Sequence, residues 1–375
     1  MESGKESGLD FALLDHRFRR ILLINFGGIG DEILFFPVIE DLRRHYPDAR
    51  ISVVVEPRCK SIMEQNYFID EVFCFDIKHR RHPGDLLELL GILRNEAPDL
   101  LISSGGSPLV ACLLFLSGAP VRVGYATPRF QFLLTHPVAL NKEQYAARMY
   151  HDLLNPLGFP NKNPVPGIYL PHSVRHWVDE WLKNKGVTEP YILIHPGVSL
   201  LSKQKQLIKS WALEKWEALI RQLLQEGRTV ILAGGPDDAE ELAYLTSHLE
   251  DPRLLSIYGQ TRDMYQLGGF IQRAGVMICV DSAPMHLGVG LNVPLVAIFG
   301  PTDETKLLPP EAENIRVIHA GTSCRPCLWA VRQTTCEALT CLQDIQVAQV
   351  YQAVSELLAR EAERAAEKAL EKSKN

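Results

Sequence analysis

Short apolar runs alternate with amphipathic stretches along almost the whole chain. In the first half the apolar runs fall at residues 21–25, 51–55, 71–75, 100–103 and 121–124. Helical spacing of apolar residues separates them at about 31–45, 83–95 and 108–116. Such alternation is typical of a parallel sheet whose two faces are covered by helices. We take 121–124 as the last strand of this half.

A segment with four prolines and two glycines, residues 158–172, interrupts this alternation and has the composition of a linker. Beyond it, strands are predicted at 191–195, 229–233, 254–258, 276–280 and 294–299, with helices at 211–226, 238–249, 263–274 and 284–290. Residues 347–372 form one long predicted helix rich in Ala, Glu and Lys. We therefore expect a flexible N-terminus (1–14), two doubly wound α/β domains (15–172 and 173–345) and a C-terminal helix (346–375).

Length and charge narrow the class of protein. With 375 residues the chain exceeds the usual size of one hydrophobic core. Its net charge of -6 argues against a nucleic-acid-binding protein, which needs a basic face. Residues 1–10 lack the apolar core of a signal peptide, and no run approaches the roughly 18 apolar residues of a membrane span. A cytoplasmic protein is expected.

The first candidate site is the turn that follows the first strand, Asn25-Phe26-Gly27-Gly28-Ile29-Gly30-Asp31. Gly28 and Gly30 allow the backbone to approach a ligand, and the helix behind them favours an anion. Ile33 stands where a dinucleotide-binding fingerprint requires its third small residue, so a nicotinamide site is disfavoured. Asp31 can be a helix cap or, at the carboxyl end of a strand and facing a cleft, a general base.

Two further candidate sites lie in the second half. Gly197 and Ser199 follow a strand and can offer an N–H and a hydroxyl to phosphate. Three lysines come next. We interpret Lys203 and Lys205 as solvated surface residues and Lys209 as a functional residue. In Asp281-Ser282-Ala283-Pro284-Met285-His286 the N–H groups of Ser282, Ala283, Met285 and His286 are expected to converge on a phosphate. Asp281 suits a sugar hydroxyl, although for this turn in isolation simple helix capping is the more frequent explanation.

Together these motifs resemble the heptosyltransferase family, family nine of the glycosyltransferases, which has the two-Rossmann-domain GT-B fold with a central cleft. The resemblance spans about residues 20–357. It rests on Gly30-Asp31 with Pro37, His195-Pro196-Gly197, Lys209-x-Trp211, Gly234-Gly235-Pro236, Asp281-Ser282-x-Pro284-Met285-His286 and Phe299-Gly300-Pro301-Thr302-Asp303.

The resemblance implies an inverting transfer of heptose from an ADP-sugar to a lipopolysaccharide-type acceptor, with no catalytic metal. Asp31 matches the family's base, and Lys209 matches the lysine that neutralises the leaving diphosphate. The turn from Ser282 to His286 matches the phosphate site, and Asp281 the residue that holds a sugar hydroxyl. The acid that reaches the ribose stays open among Asp237, Ala239 and Glu240. Two alternatives are a sugar-nucleotide epimerase of the same architecture and a non-catalytic nucleotide-sugar-binding protein.

Two clusters stand outside this pattern. The four cysteines Cys324, Cys327, Cys336 and Cys341 have a spacing that can close a structural zinc or iron site, or they are reduced thiols without metal. The basic run Lys78-His79-Arg80-Arg81-His82 is either a solvated loop, the more frequent case, or a peripheral contact with anionic lipid of the inner membrane.

Overall fold

The computed structural model describes residues 16–80, 82–159, 163–188, 190–328 and 336–374, with the side chains of 368–370 and 372–374 left aside. The predicted flexible N-terminus, 1–14, lies outside these ranges. The chain divides into two compact units, Met1–Gly167 and Ile168–Asn375. In the part described, no helix has both the length and the apolar character needed to cross a bilayer.

The first unit contains a six-stranded sheet in which all paired strands are parallel. Its strand order is β3-β2-β1-β4-β5-β6. The strands are β1 (Arg20–Ile24), β2 (Arg50–Val55), β3 (Glu71–Cys74), β4 (Leu100–Ser103), β5 (Val121–Tyr125) and β6 (His136–Val138). The helices are α1 (Ile29–His45), α2 (Lys60–Glu64), α3 (Pro83–Glu96), α4 (Pro108–Ser117) and α5 (Ala146–His151).

The second unit repeats this order around another parallel sheet, β9-β8-β7-β10-β11-β12 when read from its other edge. The strands are β7 (Ile192–His195), β8 (Val230–Leu232), β9 (Leu254–Ser256), β10 (Val276–Val280), β11 (Leu295–Phe299) and β12 (Ile315–His319). The helices are α6 (His172–Asn184), α7 (Leu200–Gln204), α8 (Leu213–Gln225), α9 (Ala239–His248), α10 (Met264–Arg273), α11 (Ala283–Gly290), α12 (Glu304–Leu307), α13 (Thr340–Gln343) and α14 (Val347–Lys374).

Two doubly wound sheets and a long C-terminal helix are therefore confirmed. The expectation that residues 121–124 form the last strand of the first half is wrong, because β6 pairs with β5. β6 is an edge strand, and its three residues include Pro137. An edge strand tolerates proline because one of its sides has no neighbouring strand to which an N–H must donate. The sequence reading also missed β12 and α6, and α7 falls within the segment that was read as a lysine-rich loop.

Apolar residues from the strands and helices form the core of each unit. Residues of α3 and α4, including Leu89 and Leu114, pack on β1 and β4 in the first unit. In the second unit α8 and the first turns of α14 cover one face of the sheet, where Trp216 and Val354 are fully buried. The central strands are buried on both sides, which explains their continuous apolar runs.

Candidate functional site

The carboxyl ends of the central strands define a candidate site in each unit. In the first sheet, the strands that follow β1 in the chain are added on one side of it, and the strands that follow β4 are added on the other side. β7 and β10 divide the second sheet in the same way. At such a switch point the loops leave on opposite sides and open a crevice, where ligands bind in doubly wound sheets. Asp31 follows β1, Gly197 follows β7 and Asp281 follows β10. The structure therefore brings Gly197, Lys209 and Asp281 to one sheet edge, and Asp31 to the corresponding edge of the other unit.

Two donors hold the carboxylate of Asp31. One carboxylate oxygen, Oδ2, accepts the N–H of Gly28 at 2.7 Å, and the other, Oδ1, accepts the hydroxyl of Tyr150 at 3.2 Å. Helix α1 begins at Ile29, so Asp31 lies in its first turn. Its side chain reaches back to Gly28, the residue that precedes the helix. A side chain at Gly27 would place its Cβ 2.3 Å from the Cβ of Asp31, which requires glycine there. Asp31 is half-buried, so its carboxylate is both oriented and accessible.

Tyr150 was not recognised from the sequence, since it comes from α5 and is 119 positions from Asp31. Burial raises the pKa of the Tyr150 phenol well above its ordinary value, and the charge of Asp31 adds to this effect. The phenol therefore stays protonated at neutral pH and remains a hydrogen-bond donor.

A buried polar chain lies directly beside Asp31. Ser104 donates its hydroxyl to the amide oxygen of Asn25 at 2.6 Å, and Asn25 donates its amide to Glu32 at 3.0 Å. Burial, followed by the nearby charge of Asp31, raises the pKa of Glu32 well above its ordinary value. Burial therefore favours the uncharged form of Glu32, which limits the negative charge next to Asp31. The chain ties the ends of β1 and β4 to the first turn of α1.

In the second unit the turn after β7 is packed against a buried His–Asp pair. His195 Nε2 lies 3.6 Å from Asp238 Oδ2, and the same oxygen accepts the N–H of Gly235 at 2.8 Å. Burial lowers the pKa of His195 and raises that of Asp238, so burial disfavours the charged form of both. A Cβ on Gly197 would lie 1.7 Å from Asp238 Oδ1. Asp238 supports the turn after β7 but was not predicted as a site residue. The sequence instead pointed to its neighbours Asp237 and Glu240 as partners of the ribose.

The acidic and basic residues around α7 mostly satisfy one another. Lys203 Nζ pairs with Glu241 at 2.6 Å and donates to the Asp237 carbonyl, so it is ion-paired rather than merely solvated. The Asp237 carboxylate accepts the N–H of Leu200 at 2.7 Å. Ser199 caps α7 by accepting the N–H of Ser202. Of the ribose candidates, Asp237 and Glu240 are both exposed, and Glu240 lies in the first turn of α9.

Lys209 and Asp281 form an ion pair, although 72 residues separate them in the sequence. Lys209 Nζ lies 3.0 Å from Asp281 Oδ2, and the two side chains are 18% and 5% exposed. The structure thus places the cation at the turn that opens α11, in agreement with the association made from the sequence.

At that turn the backbone arrangement differs in one respect from the expectation. Ser282 and Ala283 are half-buried, and Ser282 precedes the helix without a side-chain cap. The prediction that Met285 offers a free N–H is wrong: its N–H donates to the Ser282 carbonyl at 3.0 Å, and its side chain is fully buried. Pro284 has no N–H, and the imidazole of His286 is buried. The accessible part of the turn is therefore Ser282-Ala283.

Lys78, His79 and Arg80 of the basic run in the first unit each contact a carboxylate. Lys78 Nζ lies 2.9 Å from Glu56, His79 contacts Asp76, and Arg80 pairs with both Asp85 and Glu88. Glu56, which follows β2, is buried by this contact. Arg81 lies outside the described residues. These pairs favour the reading of the run as a charged loop over an anion-binding surface.

The four clustered cysteines border one cavity of about 80 Å³, lined also by Ile208 and Pro301. All four are free thiols. Burial raises the pKa of Cys341, and the three neighbouring thiols add to the effect, which shows that the four groups lie close together. In the described residues no group of three or more potential ligands has an arrangement that could hold a metal. The segment between Cys327 and Cys336 lies mostly outside those residues.

Comparison with known proteins gives a consistent result. Residues 87–337 match Glycosyltransferase family 9 (heptosyltransferase). Lipopolysaccharide heptosyltransferase 3 of Escherichia coli is 28% identical over 286 residues, which cover 73% of this chain and 81% of that protein. The structure of E. coli ADP-heptose lps heptosyltransferase II superimposes with a TM-score of 0.72 at 23% identity, covering 92% of this chain and 99% of the other.

A more distant structure shares the fold. The iron-containing dodecameric glycosyltransferase TibC from enterotoxigenic E. coli has a TM-score of 0.52 at 15% identity, covering 90% of this chain and 76% of that one. The fold of the present chain is accordingly that of the GT-B-like heptosyltransferases.

The close fit at Gly197 leads to a stability prediction. Gly197→Ala should lower the free energy of unfolding by about 2 to 4 kcal/mol, because the new methyl group overlaps the buried Asp238 carboxylate. Gly235→Ala is a matched control in the same region, since its Cβ would meet nothing closer than 4.0 Å. Urea unfolding followed by tryptophan fluorescence measures both variants. Equal stability of the two would contradict the packing described.

Proposed function

Because the chain belongs to glycosyltransferase family 9, the heptosyltransferases, we propose that it transfers a heptose from an ADP-activated donor to a saccharide acceptor of the lipopolysaccharide type. Two similar proteins support this substrate pair. One relative is a lipopolysaccharide heptosyltransferase, and one similar structure is an ADP-heptose lps heptosyltransferase. The acceptor in this proposal is lipid-linked, which agrees with action at the cytoplasmic face of the inner membrane.

The observation that carries the donor side is the Lys209–Asp281 pair at the start of α11. When the bond between the sugar and the diphosphate breaks, the electron pair leaves with ADP and negative charge develops on its phosphate oxygens. A lysine and the N–H groups of Ser282 and Ala283 stabilise that charge where it forms. Asp281, freed in part from the lysine, then accepts a hydrogen bond from a sugar hydroxyl. Gly197 and Ser199 line the same sheet edge, and Glu240 is the proposed ribose partner.

On the acceptor side Asp31 is the proposed general base. It takes the proton of the acceptor hydroxyl while the oxygen attacks the anomeric carbon from the face opposite the leaving ADP, so the configuration inverts. The carboxylate suits this role because Gly28 and Tyr150 fix it, and because burial disfavours a second negative charge on the neighbouring Glu32. Gly28 and Gly30 leave space next to it for the acceptor. This chemistry needs no metal ion.

The first prediction of this mechanism concerns the base. Asp31→Asn keeps the shape of the side chain but cannot accept the proton, so kcat should fall by about 10²- to 10⁴-fold. ADP affinity, measured by calorimetry, should remain within about twofold because the donor site lies in the other unit. Turnover close to wild type in this variant would disprove the base assignment. A parallel incubation without acceptor tests the epimerase alternative, since only an epimerase converts the donor alone.

The second prediction tests the orientation of that base. Tyr150→Phe removes the hydroxyl that holds Asp31, and kcat should fall about tenfold while the KM for the donor changes little. Tyr145→Phe is the matched control: its hydroxyl is also buried in the same segment but makes no hydrogen bond among the described residues. If both variants lose activity equally, the effect comes from packing and not from orientation.

We also propose that the cysteine cluster holds a structural metal ion, zinc or iron. Support comes from the shared cavity of the four thiols and from the iron named in the TibC structure. Four sulfur donors suit either metal. Against it stands the absence, in the described part of the chain, of any ligand group in coordinating arrangement. The ion would stabilise the loop around Cys324–Cys341 and takes no part in the transfer.

Metal analysis of the purified protein decides this point. Plasma mass spectrometry should find about one equivalent of zinc or iron in the wild type, and Cys324→Ser combined with Cys341→Ser should remove it. Cys112→Ser is the matched control, since this thiol lies outside the cluster and its loss should leave the metal content unchanged. Wild-type protein without stoichiometric metal would show that the four cysteines are reduced thiols.

A further inference from the structure

Helix α4 is apolar on the side that faces solvent. Its sequence, PLVACLLFLS, contains no charged residue. The inward residues Ala111, Leu113 and Leu114 are buried in the core of the first unit. On the outer side Leu109 is 38%, Phe115 50% and Leu116 46% exposed. A helix on the surface of a soluble domain normally places polar residues on that side.

A neighbouring turn extends this face. Phe132 lies in the 3-10 turn Gln131–Leu133, which packs against α4, and it is 75% exposed. Arg122 joins the two elements: its guanidinium lies 5.6 Å from the ring centre of Phe115, and its Nε donates to the Leu133 carbonyl. We call Leu109, Phe115, Leu116 and Phe132 the α4 apolar surface. Contiguous exposed apolar groups of this kind mark interaction sites.

The segment that carries this surface has basic but no acidic residues. Residues 100–142 contain no aspartate or glutamate, although the whole chain has a net charge of -6. The same segment contributes Arg122, Arg129 and Lys142. From α3, Arg94 adds another positive charge, with its Nε on the Leu116 carbonyl at 3.0 Å. In contrast, the basic side chains Lys78 and Arg80 are neutralised by carboxylates.

We propose that the α4 apolar surface binds an anionic lipid bilayer, with Phe115, Phe132 and the two leucines inserted among the headgroups. Apolar and aromatic side chains bordered by arginine are the combination that interfacial binding requires. A second copy of the chain is a poorer occupant: a symmetric contact would bring Arg94, Arg122 and Arg129 of both copies together and repel. This inference does not depend on the proposed transfer reaction.

Co-sedimentation of the full chain with vesicles tests the proposal without substrate. The vesicles contain about three parts phosphatidylcholine to one part phosphatidylglycerol, with pure phosphatidylcholine as the comparison. Wild-type protein should bind the anionic vesicles, and added salt should weaken binding. Phe115→Ser with Phe132→Ser should lower the partition coefficient by about tenfold or more, because two rings no longer leave water. Arg129→Glu should weaken binding to the anionic vesicles only.

Tyr67→Ser is the matched control, since Tyr67 is 63% exposed in the same unit but lies outside the α4 apolar surface. Its binding should equal that of the wild type. Circular dichroism verifies that the serine variants fold, and Phe132→Ser alone provides a milder change. Wild-type protein that ignores anionic vesicles, or a double serine variant that binds as well as Tyr67→Ser, overturns the proposal. So does a dimer in sedimentation velocity that the same double change dissociates while vesicle binding is absent.

Discussion

Because β1 pairs in parallel with β2 and β4, and β7 with β8 and β10, the chain must return across each sheet before it forms the next strand. All strands of a sheet then end at the same edge, and the following helices begin there. Both candidate sites are built at that edge, at the point where the connections diverge. The positions of Asp31, Gly197 and Asp281 follow from this topology before any side chain is considered.

Close contacts between the glycine backbone and a carboxylate side chain fix the positions of the residues at each site. Gly27 allows Asp31 to fold back on its own helix, and Gly197 allows Asp238 to fill the space beneath the β7 turn. In each unit a buried acid whose pKa is raised by burial lies next to the site, Glu32 in one and Asp238 in the other. Burial favours the uncharged form of such acids, so they can fix geometry by hydrogen bonding with little added charge where chemistry occurs.

The sequence was sufficient for the parts of the fold that rest on apolar periodicity. The central strands were placed almost to the residue, because they are buried on both sides and carry no polar interruption. Strands β6 and β12 were missed because they are edge strands, only partly buried, and lack such runs. The family was recognised from the order and spacing of several motifs. Contacts between distant residues, such as Tyr150 with Asp31, leave no local pattern and required the structure.

The beginnings of α1 and α11 each follow a central strand of their sheet, β1 and β10, but differ in one respect. At α1 the protein's own Asp31 accepts the Gly28 N–H, so an acid of the chain already fills the anion position. At α11 Ser282 turns its hydroxyl to the Val280 carbonyl and leaves the helix start without a side-chain acceptor. In the proposed reaction Asp31 therefore also has a role in selectivity. It occupies the anion position at the start of α1, so that the diphosphate is directed to the open helix end at α11.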